Sequence, residues 1–254
     1  MKDQTSTLRQ TDDDALELAR KLQHTSPYAA LAVIDPQTQF PFASRILLCT
    51  DMDGCPAVLV SALATHTAAL REDGRASLLV GEPGKGDPLA YARMTIQCRA
   101  KAVDRDGIDH KRLRKRFLAR HPKAALYIDF TDFCFFRLMP EWASLNGGFG
   151  RAYRIEGRDL LIHSPANALI ADHADEIERY VYEKFPHIFD NIAAASGVSR
   201  KTANSAWRVA GVDCEGLDIA EGELFIRYNW EALVTSLDAT YSNIAKIASV
   251  TTKT

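Results

Sequence analysis

The chain has 254 residues, 46% of them hydrophobic and 25% charged, with a formal net charge of −2 at pH 7. Those proportions belong to a folded globular protein and exclude a disordered or low-complexity chain. The near-neutral charge gives no bulk attraction to nucleic acid. There is no apolar run of about 20 residues and Asp12-Asp13-Asp14 stands where an apolar signal core would lie, so a cytoplasmic protein without a membrane partner is expected.

Thr11 before three aspartates reads as an N-cap with an acidic first turn, and Leu16, Ala19 and Leu22 form an apolar stripe, predicting a helix that ends before Pro27. Ala29 to Ile34 is a strand-length apolar run, and the turn Asp35-Pro36-Gln37-Thr38 leads into a strand from Phe40 to Thr50. Asp51-Met52-Asp53-Gly54 turns the chain into Ala57 to Ser61. Thr65 to Arg71 reads as a short helix and Ala76 to Val80 as a strand. The glycines of the following loop, Gly81 to Pro88, match neither the Walker nor the dinucleotide spacing.

From Arg93 to Asp104, Met94, Ile96, Cys98 and Ala100 alternate with polar residues, as in a half-buried antiparallel strand. His110 to Lys123 holds seven lysines and arginines, with Leu113, Phe117 and Leu118 at helical spacing, and so predicts an amphipathic helix with a cationic solvent face. Phe133 to Leu138 is strongly β-prone and continues past Pro140 to Trp142, ahead of Gly147-Gly148-Phe149-Gly150. Several antiparallel strands with few helices predict a small closed barrel.

Beyond about Ile155 the texture changes. Asn167 to Lys184 and Asn191 to Ala195 are helical, Trp207 to Val212, Leu217 to Ile219 and Glu223 to Tyr228 are strand-like, and Leu233 to Val250 closes with a helix. The fold class is α+β: an N-terminal helix (1–27), a barrel domain (28–154) and a small α+β domain (155–254). Five cysteines without Cys-x-x-Cys spacing predict reduced, buried thiols and no cysteine metal site.

Two stretches carry candidate chemistry. Arg45 places a fixed cation on a strand, and Ser61-Ala62-Leu63-Ala64-Thr65-His66-Thr67 gathers hydroxyl and imidazole donors at a strand-to-helix junction. Together they contain the donors that hold a small phosphorylated ligand, although on the residues alone a surface arginine and a helix cap are the plainer reading.

Ala43-Ser44-Arg45, Ser61 to Thr67, Ala76 to Val80, Gly86-Asp87-Pro88-Leu89 before Arg93-Met94-Thr95, and Gly147 to Ala152 resemble the pyridoxamine 5′-phosphate oxidase-like, FMN-binding split-barrel superfamily. More narrowly they resemble its haem-utilisation (HugZ-like) branch. Asp172-His173-Ala174-Asp175, Gly211 to Asp218 and the last helix resemble the domain of unknown function that often follows this barrel. The resemblance implies an FMN-binding oxidoreductase-like homodimer with two flavin sites at the subunit interface. Arg45, Ser61, His66 and Thr67 would bind the flavin phosphate, and Arg93 and Thr95 would lie near the ribityl or ring end.

Members of the superfamily it resembles commonly carry Asn at the position of Ala69, and the oxidases proper carry Lys at that of Thr50. Each lost polar partner of a phosphate costs about 1.5–3 kcal/mol, which predicts weakened FMN binding. The haem branch implies the alternative of a haem-binding or haem-degrading protein, for which His163 and His173 are the candidate axial ligands, His173 reading otherwise as a solvated helix histidine. A non-catalytic regulatory dimer is the third reading. No catalytic residue is legible.

Overall fold

The computed structural model describes residues 8–148, 151–198 and 207–249. Phe149, Gly150 and Val250, which carried sequence expectations, lie outside them, as do the first seven residues. The chain divides into two compact units, one ending at Leu161 and one beginning at Ile162.

The first unit runs β1 (Leu8–Arg9), α1 (Asp13–Thr25), β2 (Tyr28–Ile34), β3 (Pro41–Leu47), β4 (Cys49–Thr50), β5 (Pro56–Ser61), α2 (Thr65–Glu72), β6 (Arg75–Val80), β7 (Arg93–Ala102), α3 (Ile108–Arg120), β8 (Phe133–Asn146) and β9 (Ala152–Glu156). Its nine strands form one sheet in the order β1-β9-β8-β7-β6-β2-β3, with β5 joining β8 to β4. The cap of α1 is Asp12, whose carboxylate accepts from the Ala15 amide, and not Thr11, whose hydroxyl donates to the Arg154 carbonyl. The carboxylate lies closer to the free first-turn amides and adds charge at the positive helix end, so it takes the position.

β8 organises this sheet. Its first half pairs with β5, from Ser61 opposite Phe133 to Ala57 opposite Arg137, and its second half pairs with β9, while β7 accompanies it from Phe136 to Asn146. The register shifts where Gln97 faces Trp142 and Cys98 faces Pro140, so Glu141 is the extra residue of a bulge beside the proline. Leu31, Leu78, Met94, Ile96, Phe136, Leu138 and Leu145 are fully buried between the strands, and Ala15 and Ala19 of α1 close the same core. A second cluster, Leu113, Phe117, Phe135 and Ile128, seats α3 on the far side of β5 and β8. Each of these large side chains contributes roughly 1.5–3 kcal/mol by leaving water.

The second unit holds α4 (Ala166–Asp172), α5 (Ala174–Lys184), α6 (Ile188–Ala195), the antiparallel meander β10 (Arg208–Val212), β11 (Gly216–Glu221), β12 (Leu224–Asn229), and α7 (Leu237–Ser249). The helix expected over residues 167–184 is broken at His173, whose backbone (φ −102°, ψ 15°) leaves the helical region. The meander is pinned by Arg227, which donates to both Asp213 and Asp218 in a fully buried cluster. Gly216 permits this, because a Cβ there would lie 2.3 Å from the Tyr228 carbonyl and 2.9 Å from Arg227 Nε. Cys49, Cys55, Cys98 and Cys214 are buried free thiols, and burial pushes Cys55 up to about 12, far from thiolate reactivity.

Candidate functional site

The candidate residues are distributed over two faces of the barrel sheet, because neighbouring residues of a strand point to opposite sides. At the inner corner, between β3 and α2, Ser44 Oγ lies 3.0 Å from His66 Nδ1. His66 is half-buried, and burial lowers its imidazole below the ordinary value, so it is neutral at pH 7. Ser61 Oγ donates to Asp132 at 2.8 Å and accepts from the Leu63 amide. Thr67 is buried and donates to the Ser61 carbonyl at 2.6 Å. The hydroxyls of Ser61 and Thr67 therefore brace the strand-to-helix corner itself, with a carboxylate beside them.

Arg45 is on the other face. It is exposed, and its guanidinium carbon stands 5.0 Å over the ring of Tyr28. Register places it in a continuous row across the sheet: Arg45 opposite Ala30, Ala30 opposite Leu79, Leu79 opposite Thr95, Thr95 opposite Ser144, and Ser144 opposite Arg154. Arg45 and Thr95 thus share one outward face, three strand spacings or about 14 Å apart. Arg93 flanks the row, and its Nη1 donates to the Leu89 and Tyr91 carbonyls, anchoring the loop before β7.

The same row exposes residues that sequence reading passed over. Ser144 and Arg154 continue it, and Trp142 lies next to them on β8 with the Arg154 guanidinium 4.9 Å over its ring. The pairing of β8 with β9 brings them together, and a strand at Ala152–Glu156 was not expected. Beside the row, an open groove of about 400 Å³ is lined by Ala32, Ile34, Pro41, Ser77, Gln97 and Glu141. Both lie on an outward face that leaves Ala30, Ala43, Leu47 and Leu79 exposed.

The basic helix keeps cations toward solvent, Lys111 and Arg114 among them, but three of its arginines turn inward, which was not expected. Arg112, Arg116 and Arg120 recur every fourth residue and so form one stripe. Arg116 donates to the Thr50 carbonyl at 2.9 Å, and Arg120 donates to the Leu48 and Ser26 carbonyls at 2.9 and 2.8 Å. Arg112 grips Asp51 with two 2.8 Å bonds, and Arg137 pairs with Asp51 and Asp53. Burial pushes the Asp51 carboxyl up, but the bonds and charges of Arg112 and Arg137 outweigh it and hold the group below the usual carboxylate range. Arg137 is thereby a structural cation.

In the C-terminal unit, His173 stands at the junction of α4 and α5. Its Nδ1 lies 2.9 Å from the Leu169 carbonyl. A carbonyl only accepts, so Nδ1 carries the hydrogen and the lone pair of the neutral ring resides on Nε2.

Residues 10–161 match the CREG β-barrel family. The chain belongs to that family. The resemblance to the split-barrel superfamily and its haem-utilisation branch holds, as does the α+β class with a split barrel and a following domain. Over 114 residues, 45% of the chain, the protein is 33% identical to the chloroplastic heme oxygenase HOZ of Arabidopsis thaliana. The match spans about a third of that relative's length, 34%. Among solved structures, protein Atu2129 of Agrobacterium tumefaciens, of unknown function, superposes with a TM-score of 0.78 at 28% identity, covering 93% of this chain and 96% of that one. A heme binding protein from Mycobacterium smegmatis shares the fold at a TM-score of 0.55 and 24% identity, covering 94% of this chain and 97% of that one. No helix among the described residues is long and apolar enough to cross a membrane.

Proposed function

We propose that the protein binds haem on the outward face of the barrel sheet and works as a homodimer across that face. The observation that carries this reading is the row from Arg45 to Arg154. It presents guanidinium groups backed by Tyr28 and Trp142, with the Thr95 and Ser144 side chains between them. A flat ring with anionic side groups requires apolar contact and a few placed cations. Leu79 and Trp142 offer the contact, and Arg154, Arg93 or Arg45 the charge. The identity shared with heme oxygenase HOZ favours haem over flavin as the ligand class. Bound haem would supply a redox-active iron; within the C-terminal unit taken by itself, His173 is the candidate haem ligand, because its Nε2 is unengaged among the described residues and its Nδ1 hydrogen is fixed by a carbonyl.

FMN is the second reading. It is favoured by the barrel superfamily and by Arg45, Ser61, His66, Thr67, Arg93 and Thr95 as phosphate and ring contacts. Two observations weigh against a strong phosphate cradle. The Ser61 and Thr67 hydroxyls are engaged within the chain, and Arg45 emerges on the face opposite Ser44 and His66.

Parallel titrations of the full chain with haemin and with FMN separate the two. Haem binding on the sheet face predicts a saturable Soret shift that Arg154→Ala weakens, and ligation by the C-terminal unit predicts a Soret position that His173→Ala alters. An unchanged haemin spectrum together with quenched FMN fluorescence would reverse the order of the readings.

A further inference from the structure

The corner between β5 and α2 gathers hydroxyl and amide donors, and nearly all of them are spent within the chain. The Asp132 carbonyl accepts the Ala62 amide at 2.6 Å, and the Asp132 carboxylate accepts the Ser61 hydroxyl at 2.8 Å. Ser61 Oγ in turn accepts the Leu63 amide at 3.2 Å, while the Ser61 carbonyl takes the Ala64 amide at 3.1 Å and the Thr67 hydroxyl at 2.6 Å. The Thr67 amide closes on the Ala64 carbonyl at 2.9 Å. Only the Thr65 hydroxyl and the Thr65 and His66 amides are left without an acceptor there among the described residues.

Asp132 thereby holds the position that a ligand's phosphate would need. A hydroxyl has one hydrogen, and that of Ser61 is directed at a carboxylate, so a phosphate oxygen could approach Ser61 only about 4–5 Å from that carboxylate. Two anions so close repel strongly in a partly desolvated corner. No lysine, arginine or histidine side chain pairs with Asp132 among the described residues, so its charge is not cancelled locally. The shape of the corner does not require that charge. The Ala62 to Asp132 backbone bond extends the β5–β8 ladder beyond the Ser61–Phe133 pair, and a neutral amide would accept the Ser61 hydroxyl as well.

We propose that Asp132 is a specificity-determining residue that closes this corner to phosphate esters. Its carboxylate is the chain's own substitute for the anion that donors at a helix start would otherwise attract. The FMN phosphate does not fit there for that reason, whereas the same flavin without its phosphate meets no such barrier. The inference concerns the inner corner and is independent of what the outward face binds.

The test compares FMN with riboflavin, which carries the same ring and ribityl chain without the phosphate. Flavin fluorescence titrations are run on the full wild-type chain and on Asp132→Asn and Asp132→Ala, with thermal midpoints to verify that each is folded. Wild type is expected to bind FMN no more tightly than riboflavin. Asp132→Asn, which keeps the acceptor for Ser61, is expected to gain affinity for FMN about tenfold to a hundredfold with riboflavin unchanged. A wild-type preference for FMN over riboflavin would overturn the proposal without recourse to any variant. So would FMN binding that is the same, or equally undetectable, in wild type and variants, or a gain for riboflavin equal to that for FMN.

Discussion

Asp51 is the residue on which the inner face of α3 depends. Its carboxylate is 2% exposed and receives Arg112 and Arg137 together. Removing one member of a buried ionic cluster leaves the others uncompensated, so Asp51→Ala is expected to destabilise the barrel by about 3–5 kcal/mol in urea unfolding. The depressed carboxyl makes the contribution of Asp51 fully present above the unfolded value near pH 3.9. It is lost as pH falls through the lower folded value. His66 and His110 act in a different window. Burial lowers both imidazoles, helped at His110 by Arg105 and Arg114. Because the folded state favours the neutral rings, their contribution is present above about pH 6.5 and is lost as pH falls further. The thermal midpoint should therefore decline between about pH 7 and pH 5, and the variant carrying His66→Gln and His110→Gln should show a flatter profile. Unequal legibility at this scale has a physical cause. The spacing of Arg112, Arg116 and Arg120 was visible, but their destination was not, since the carbonyls of Ser26, Leu48 and Thr50 that receive them come from a distant part of the chain. Arg45 was found at once, while Arg154 was missed because only strand register reveals that they share a row.

Elements with strong local signals were legible. The alternation of Met94, Ile96 and Cys98 appears as the buried side of β7, and the three short strands of the second unit form its meander. Pairing partners were not legible. The sequence pattern put residues 57–61 in a hairpin with residues 45–50, whereas β5 makes only the short Cys49–Thr50 ladder there and its longer ladder with β8. Apolar runs state that a strand is buried without stating against what. β9 was passed over because five residues beside a glycine cluster give too little periodicity. Immediately after β9, Gly157 begins a 3-10 turn pressed on β8, and a Cβ there would lie 2.1 Å from the Pro140 carbonyl. Gly157→Ala must displace backbone, so a loss of about 1–3 kcal/mol is expected in thermal or urea unfolding. A neutral result would mean that the turn can lift away from the bulge.

At the level of the whole molecule, the proposed dimer rests on the outward sheet face. Leu79 lies in its centre, 46% exposed, between Ala30 and Thr95. A homodimer across this face predicts that Leu79→Arg yields monomers by sedimentation, lowers the thermal midpoint and removes its dependence on protein concentration. An unchanged sedimentation coefficient would place any dimer contact elsewhere. β8 sets a different condition, one of timing. β5 leaves the ribosome early and meets its long partner only after Phe133 to Arg137 has been made, which at about 5–20 residues per second is a wait of several seconds. Throughout that interval Val58-Leu59-Val60 is an unpaired apolar edge of the kind that recruits other chains. The strand at the middle of the sheet thus sets the interval over which this apolar edge is exposed during synthesis.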